Sequence, residues 1–235
     1  MGGRFMNRVL KAALFAGCMA LIAGGCLLFG DRSVSWLIGS AGIAVCGLFF
    51  ARFEKKDTSA GEIALAAVMT ALSVTGRIIF APLPAFKPCA AVIILAGIYL
   101  GAEQGFLIGA LTALISNFFF TQGIWTPFQM MIWGLIGLLA GLIGKRLKKN
   151  RLMLCIFGAL AGLCYSLFMD ICSVLWLGGG FTPERFLGLT LTSAWFTVSY
   201  MVSNCVFLLI FIKPAERIFE RLHAKFGIGA GTRRA

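Results

Sequence analysis

Apolar residues run along this chain in long blocks, mostly of about 17 residues or more without a full charge, the length a helix needs to cross a hydrocarbon core of about 30 Å. Eight blocks can be read, at about 12–30, 33–51, 60–80, 88–101, 104–120, 127–144, 152–177 and 186–212. The fourth is short, and a tight turn through Gly101, Ala102, Glu103, Gln104 and Gly105 joins it to the fifth. The pattern predicts an all-α fold, a polytopic membrane helical bundle whose loops are too short to hold a separate soluble domain. The densest early charge run, 52–59, divides the chain into 1–58, two N-terminal transmembrane helices, and 59–235, a six-helix core with a basic tail. Small residues four apart, at Gly97, Gly101, Gly105 and Gly109, at Gly137 and Gly141, at Gly158 and Gly162, and at Ala67 and Ala71, predict close helix contacts.

Composition agrees with the pattern. Of 235 residues, 60% are hydrophobic and 13% charged, against about a quarter charged in soluble domains, and the mean hydropathy is +0.93. The net charge of +12 reads as cytoplasmic anchoring of membrane helices, because no basic stretch lies in a soluble, aromatic-interleaved segment that would grip nucleic acid. With the N-terminus inside, the cytoplasmic set is Arg4, Arg8, Lys11, Arg52, Lys55, Lys56, Lys145, Arg146, Lys148, Lys149, Arg151, Lys213, Arg217, Arg221, Lys225, Arg233 and Arg234. Only Arg32, Arg77, Lys87 and Arg185 fall outside, so both termini are expected in the cytoplasm. The first span, basic at its start and ending near Cys26, has features of a signal peptide, but Leu27, Leu28 and Phe29 continue the apolar run and an uncleaved helix is expected. The tail from Lys213 to Leu222 is basic and amphipathic, and is expected along the inner membrane surface.

The inventory for chemistry is thin. The one histidine, His223, lies in the basic tail, which excludes a Ser-His hydrolase within the membrane. No close acid pair on one span can hold a divalent metal, no phosphate-binding glycine loop is present, and the eight cysteines form no C-x-x-C pair, so neither metal nor cofactor nor catalytic residue is expected. Uphill transport would need energy from a partner or an ion gradient.

Polar and aromatic residues gather instead at the outer ends of the core helices. Charges inside a span face protein or water, which makes Arg77 and Asp170 candidates either for substrate contact or for pairing with each other. The loop 81–88, with Pro82, Pro84 and Pro88 beside Phe86 and Lys87, is a stiff connector or a lid. Asn117, Gln122 and Gln129 supply donors and acceptors, and Trp125, Phe128 and Trp133 flat apolar surface, the mixture of a small-molecule pocket. Asn204 reads as a helix-helix hydrogen bond. The glycines at 178–180 make the last outer loop a second possible gate. The candidate pocket is therefore Arg77, Pro84, Phe86, Lys87, Asn117, Gln122, Trp125, Gln129, Trp133 and Asp170.

Several of these stretches resemble a known family. Gly76-Arg77-Ile78-Ile79-Phe80, Leu83-Pro84-Ala85-Phe86-Lys87-Pro88, Gly101-Ala102-Glu103-Gln104-Gly105-Phe106, Ser116-Asn117-Phe118-Phe119-Phe120 and Trp125-Thr126-Pro127-Phe128-Gln129-Met130 look like the substrate-binding S component of energy-coupling factor (ECF) vitamin transporters, nearest to the cobalamin-type subgroup. The resemblance covers about 60–212. It implies a six-helix membrane core in a prokaryotic plasma membrane, with both termini cytoplasmic. It also implies capture of a vitamin, cobalamin or a related corrinoid, at the outer face, and association with a transmembrane coupling subunit and two cytoplasmic ATPases. In the family an Ala-x-x-x-Ala face of the first core helix docks on the coupling subunit, and Ala67 and Ala71 match that pattern. Two other classes stay open: an ion-coupled carrier working alone with Asp170 as its ion site, and a scaffold that transports nothing.

Overall fold

The computed structural model describes residues 59–176 and 181–226, with Gly47 as one further position, so the first two expected spans and most of the glycine loop lie outside the described residues. The helices are α1 (Ala60–Ile79), α2 (Cys89–Leu100), α3 (Ala102–Phe120), α4 (Trp125–Leu142), the short α5 (Gly144–Lys149), α6 (Arg151–Trp176) and α7 (Pro183–Phe226). Five of these, α1, α3, α4, α6 and α7, are long and apolar enough to cross a membrane. The described residues are all-helical, as the hydrophobic pattern predicts.

Local chemistry sets the ends. Ser59 accepts the Glu62 amide at 3.2 Å and starts α1 with a capping pair, while Asn150 accepts the Leu152 and Met153 amides at 2.9 and 3.2 Å and starts α6. Gly101, at φ 99, separates α2 from α3 in a backbone conformation that side chains resist. Trapped between Pro88 and Gly101, α2 has only 12 residues, about 18 Å of rise. It lies in the middle of the bundle, with every residue from Ala91 to Tyr99 buried.

Helices α2, α3 and α4 meet backbone to backbone. A Cβ built on Gly137 would stand 2.1 Å from the Gly105 carbonyl oxygen, one on Gly105 2.4 Å from the Gly137 oxygen, and one on Gly97 2.2 Å from that same oxygen. The Gly97-Gly101-Gly105-Gly109 and Gly137-Gly141 series is thus a packing seam. In lipid, where apolar burial between helices drives little, such contact is what holds helices together. A second seam joins α6 to α7, where Gly162 faces the Met201 backbone and Asn204 Nδ2 donates to the Gly158 carbonyl at 3.0 Å, the helix-helix bond expected of Asn204.

One element differs from its expectation. The last span does not stop near 212. It continues through Pro214 as one helix to Phe226, and Phe219 is buried with its ring stacked on Tyr99, centroids 4.7 Å apart and planes at 3°. Lys148 Nζ covers the Tyr99 ring at 4.1 Å, and Arg151 meets Glu216 at 3.6 Å. Phe219 of the tail is therefore engaged with α2, while Ile218 and Phe226 on the same stretch stay exposed. Physically, the proline removes one amide donor, and the stacked ring holds the helix on beyond it.

Candidate functional site

The loop 81–88 and the turn 121–124 lie at the end of the bundle opposite the basic α5. Arg77, on the last turn of α1, donates through Nη1 to Ser116 Oγ and to Asn117 Oδ1, the latter at 2.8 Å. Asn117 Nδ2 donates to Gln129 Oε1 at 2.9 Å and to Thr126 Oγ1 at 3.0 Å, and Gln129 Nε2 donates to Tyr165 Oη at 2.8 Å. One relay thus ties α1, α3, α4 and α6. Its members Asn117 and Gln129 are almost fully buried, at 1% and 3% exposure, so each broken link would leave a desolvated polar group.

Against this relay stands a cavity of about 430 Å³, its open mouth included, lined by Arg77, Lys87, Cys89, Ala90, Trp133, Ala161, Gly162, Tyr165, Tyr200 and Asn204. Its aromatic wall is continuous: Trp133 stacks on Tyr165 at 5.7 Å and Tyr165 meets Tyr200 edge-on at 5.0 Å. Among the described residues, Arg77 and Lys87 are its charged groups and no carboxylate lines it. Burial, and behind it the Arg77 charge, push the Lys87 ammonium below the ordinary lysine range. Both cations lie over the Phe120 ring, at 4.6 and 4.9 Å from its centroid, and Arg77 also covers Trp133 at 5.0 Å.

The structure divides the expected pocket residues into groups. Arg77, Lys87 and Trp133 line the cavity, and Asn117 and Gln129 stand behind it as support. Phe86 packs on Phe207 at 5.2 Å, and Pro84 accepts the Phe86 amide at 2.8 Å, which places both in the loop covering this end. That loop is fastened to α7, because Ser203 Oγ accepts the Lys87 amide at 2.9 Å and donates to the Lys87 carbonyl at 3.0 Å.

Three residues sit elsewhere. Gln122 closes the α3–α4 turn, its Nε2 donating to the Leu114 carbonyl at 2.9 Å and its Oε1 accepting from Thr126 at 2.9 Å. Trp125 lines a separate apolar cavity of about 350 Å³ with Phe128, Met169 and Trp176. Asp170 accepts from Ser193 Oγ at 2.8 Å between α6 and α7, while Arg77 bonds Ser116 and Asn117, so the two do not form the pair considered from sequence. Ala67 and Ala71 fall on an exposed face of α1.

Tyr165 and Tyr200 were not among the expected residues. The chain holds only three tyrosines, and a polar-tipped ring within an apolar block was the available sign. The sequence matches the family described as ECF-type riboflavin transporter, S component, over residues 57–217, more than half of the chain. A search of curated proteins and one of solved structures return no match. With its multi-helix membrane architecture and cavity beside it, that match is decisive: the chain belongs to the family of S components of ECF-type riboflavin transporters.

Proposed function

We propose that the chain captures a flavin-type vitamin in the cavity beneath the loop 81–88, at the outer membrane face, and delivers it to an ECF coupling subunit driven by two ATPases. Membership of the family makes it a multi-pass prokaryotic membrane protein and a substrate-binding subunit, and accounts for a chain without a nucleotide-binding motif. The observation that carries the ligand is the continuous aromatic wall of Trp133, Tyr165 and Tyr200 along the cavity. A flat tricyclic ring gains most from stacking on such a wall. The family description points the same way. The exposed Ala67 and Ala71 face of α1 is the surface offered to the coupling subunit.

The test is binding by the purified, detergent-solubilised chain to riboflavin, cobalamin and cobinamide, read by thermal shift and by quenching of flavin emission. A ligand of the native state raises the melting temperature by mass action, and stacking on the aromatic wall quenches the flavin. Riboflavin binding with both signatures supports the reading. A shift with a corrinoid alone overturns the flavin and reinstates the cobalamin-type substrate, and uptake by vesicles holding this chain alone would mark a self-sufficient carrier.

A further inference from the structure

The charge in the cavity says more about the ligand than its shape does. Arg77 and Lys87 both bear on the Phe120 ring, and among the described residues no carboxylate lines the cavity with them. Asp170 is held by Ser193 between α6 and α7 and forms no ion pair with either cation. Arg77 spends Nη1 on neutral acceptors, Ser116 Oγ and Asn117 Oδ1. A guanidinium carries five N–H donors in a planar fork, so that anchoring holds the group in place without neutralising it. Lys87 is fixed at its backbone in both directions by Ser203, which sets where its side chain starts, and its ammonium lies over Phe120. A ring face is a weak counter-ion beside a full negative charge. Covering two half-desolvated cations with an uncharged ligand removes their water and supplies neutral acceptors at most, whereas an anion also supplies the missing counter-charge.

We propose that this cavity selects a ligand carrying an anionic group, a phosphate or a carboxylate, bound jointly by the Arg77 guanidinium and the Lys87 ammonium. The proposal rests on the flavin reading and sharpens it. The aromatic wall takes the ring system, and the two cations take the charged end. Relief of the mutual repulsion of Arg77 and Lys87, which helps to depress the Lys87 ammonium, adds to the preference.

Three flavins that share the ring and differ in the side chain test it: riboflavin, riboflavin 5′-phosphate and 10-carboxymethylflavin, titrated into the full detergent-solubilised chain at low and at 0.5 M salt. Both anions are expected to bind at least about tenfold tighter than riboflavin at low salt, and this margin shrinks at high salt as the charges are screened. Preference for the phosphate alone or the carboxylate alone identifies which anion is meant. In Lys87→Gln the ratio of anion to riboflavin affinity falls by about tenfold whatever happens to overall affinity, and Lys87→Arg restores it. Equal binding of all three flavins, tighter riboflavin binding, or a ratio untouched in a folded Lys87→Gln protein overturns the proposal while leaving the flavin reading intact. If no flavin binds, the flavin reading fails by itself. The charge assignment is then read on nicotinate against nicotinamide and biotin against its amide, where binding of the neutral members alone overturns it.

Discussion

Replacing Gly137 by alanine adds one carbon to the place where α2, α3 and α4 meet. That carbon would lie 2.1 Å from the Gly105 carbonyl oxygen, 2.5 Å from its carbon and 3.0 Å from Ile93 Cγ2, against 3.4–4 Å for ordinary contact. Two of these neighbours are backbone, so no side chain can rotate away, and α4 must move off α3 by about 1 Å. A gap of that size forfeits a quarter to a half of the dispersion at each contact along the seam, and overpacking of this kind costs about 1–3 kcal/mol. At about 2–4 °C per kcal/mol for a chain of this length, the melting temperature should fall by about 2–12 °C. The buried thiols of Cys89 and Cys172 report unfolding through a thiol-reactive dye in detergent. Gly188→Ala, with nothing within 4 Å of its Cβ, is the matched control and should melt no lower than the native protein, since alanine favours a helix by about 1 kcal/mol. A Gly137→Ala protein as stable as the native one, or a Gly188→Ala protein equally weakened, would refute the seam as a source of stability.

Trp133→Ala should weaken flavin binding more than Trp125→Ala, because only Trp133 lines the cavity with Tyr165; calorimetry on both variants checks the order. Phe219→Ala removes a ring stacked on Tyr99 and should destabilise by about 3 kcal/mol, with cleavage after Arg217 or Arg221 in limited proteolysis rising in parallel. Lys87→Met should raise the melting temperature at pH 7, since burial and Arg77 disfavour the ammonium. The folded-state pKa lies below the unfolded one, so between the two the unfolded chain binds more protons and native stability rises with pH. The gap between Lys87→Met and native protein should therefore narrow as pH climbs through the depressed lysine value towards 10.5; a gap that is constant with pH would contradict it.

Hydrophobic runs located the described helices closely because crossing a bilayer demands length and apolarity whatever the neighbours. Arg77, Lys87 and Trp133 were legible for a related reason: charge and a large ring at the end of a span need a purpose. Gln122 and Trp125 look like pocket residues by type, yet one caps a turn and the other faces a second cavity, a choice made by the geometry between helices. Tyr165 and Tyr200 escaped because each sits within an apolar run, and only the approach of α6 to α4 and α7 turns them onto one wall. The helical extension past Pro214 needed Tyr99, more than a hundred residues earlier, to explain it.

The glycine seam also sets where this sequence is free to change. At Gly97, Gly105 and Gly137 any side chain meets a carbonyl of a neighbouring helix, so drift there is closed off. At Ala161 and Tyr200 a new side chain meets cavity space, and the backbone need not respond. Heritable variation is thereby channelled away from the frame and onto the wall, and a lineage built on this bundle can exchange one ligand for another without having to reinvent its fold.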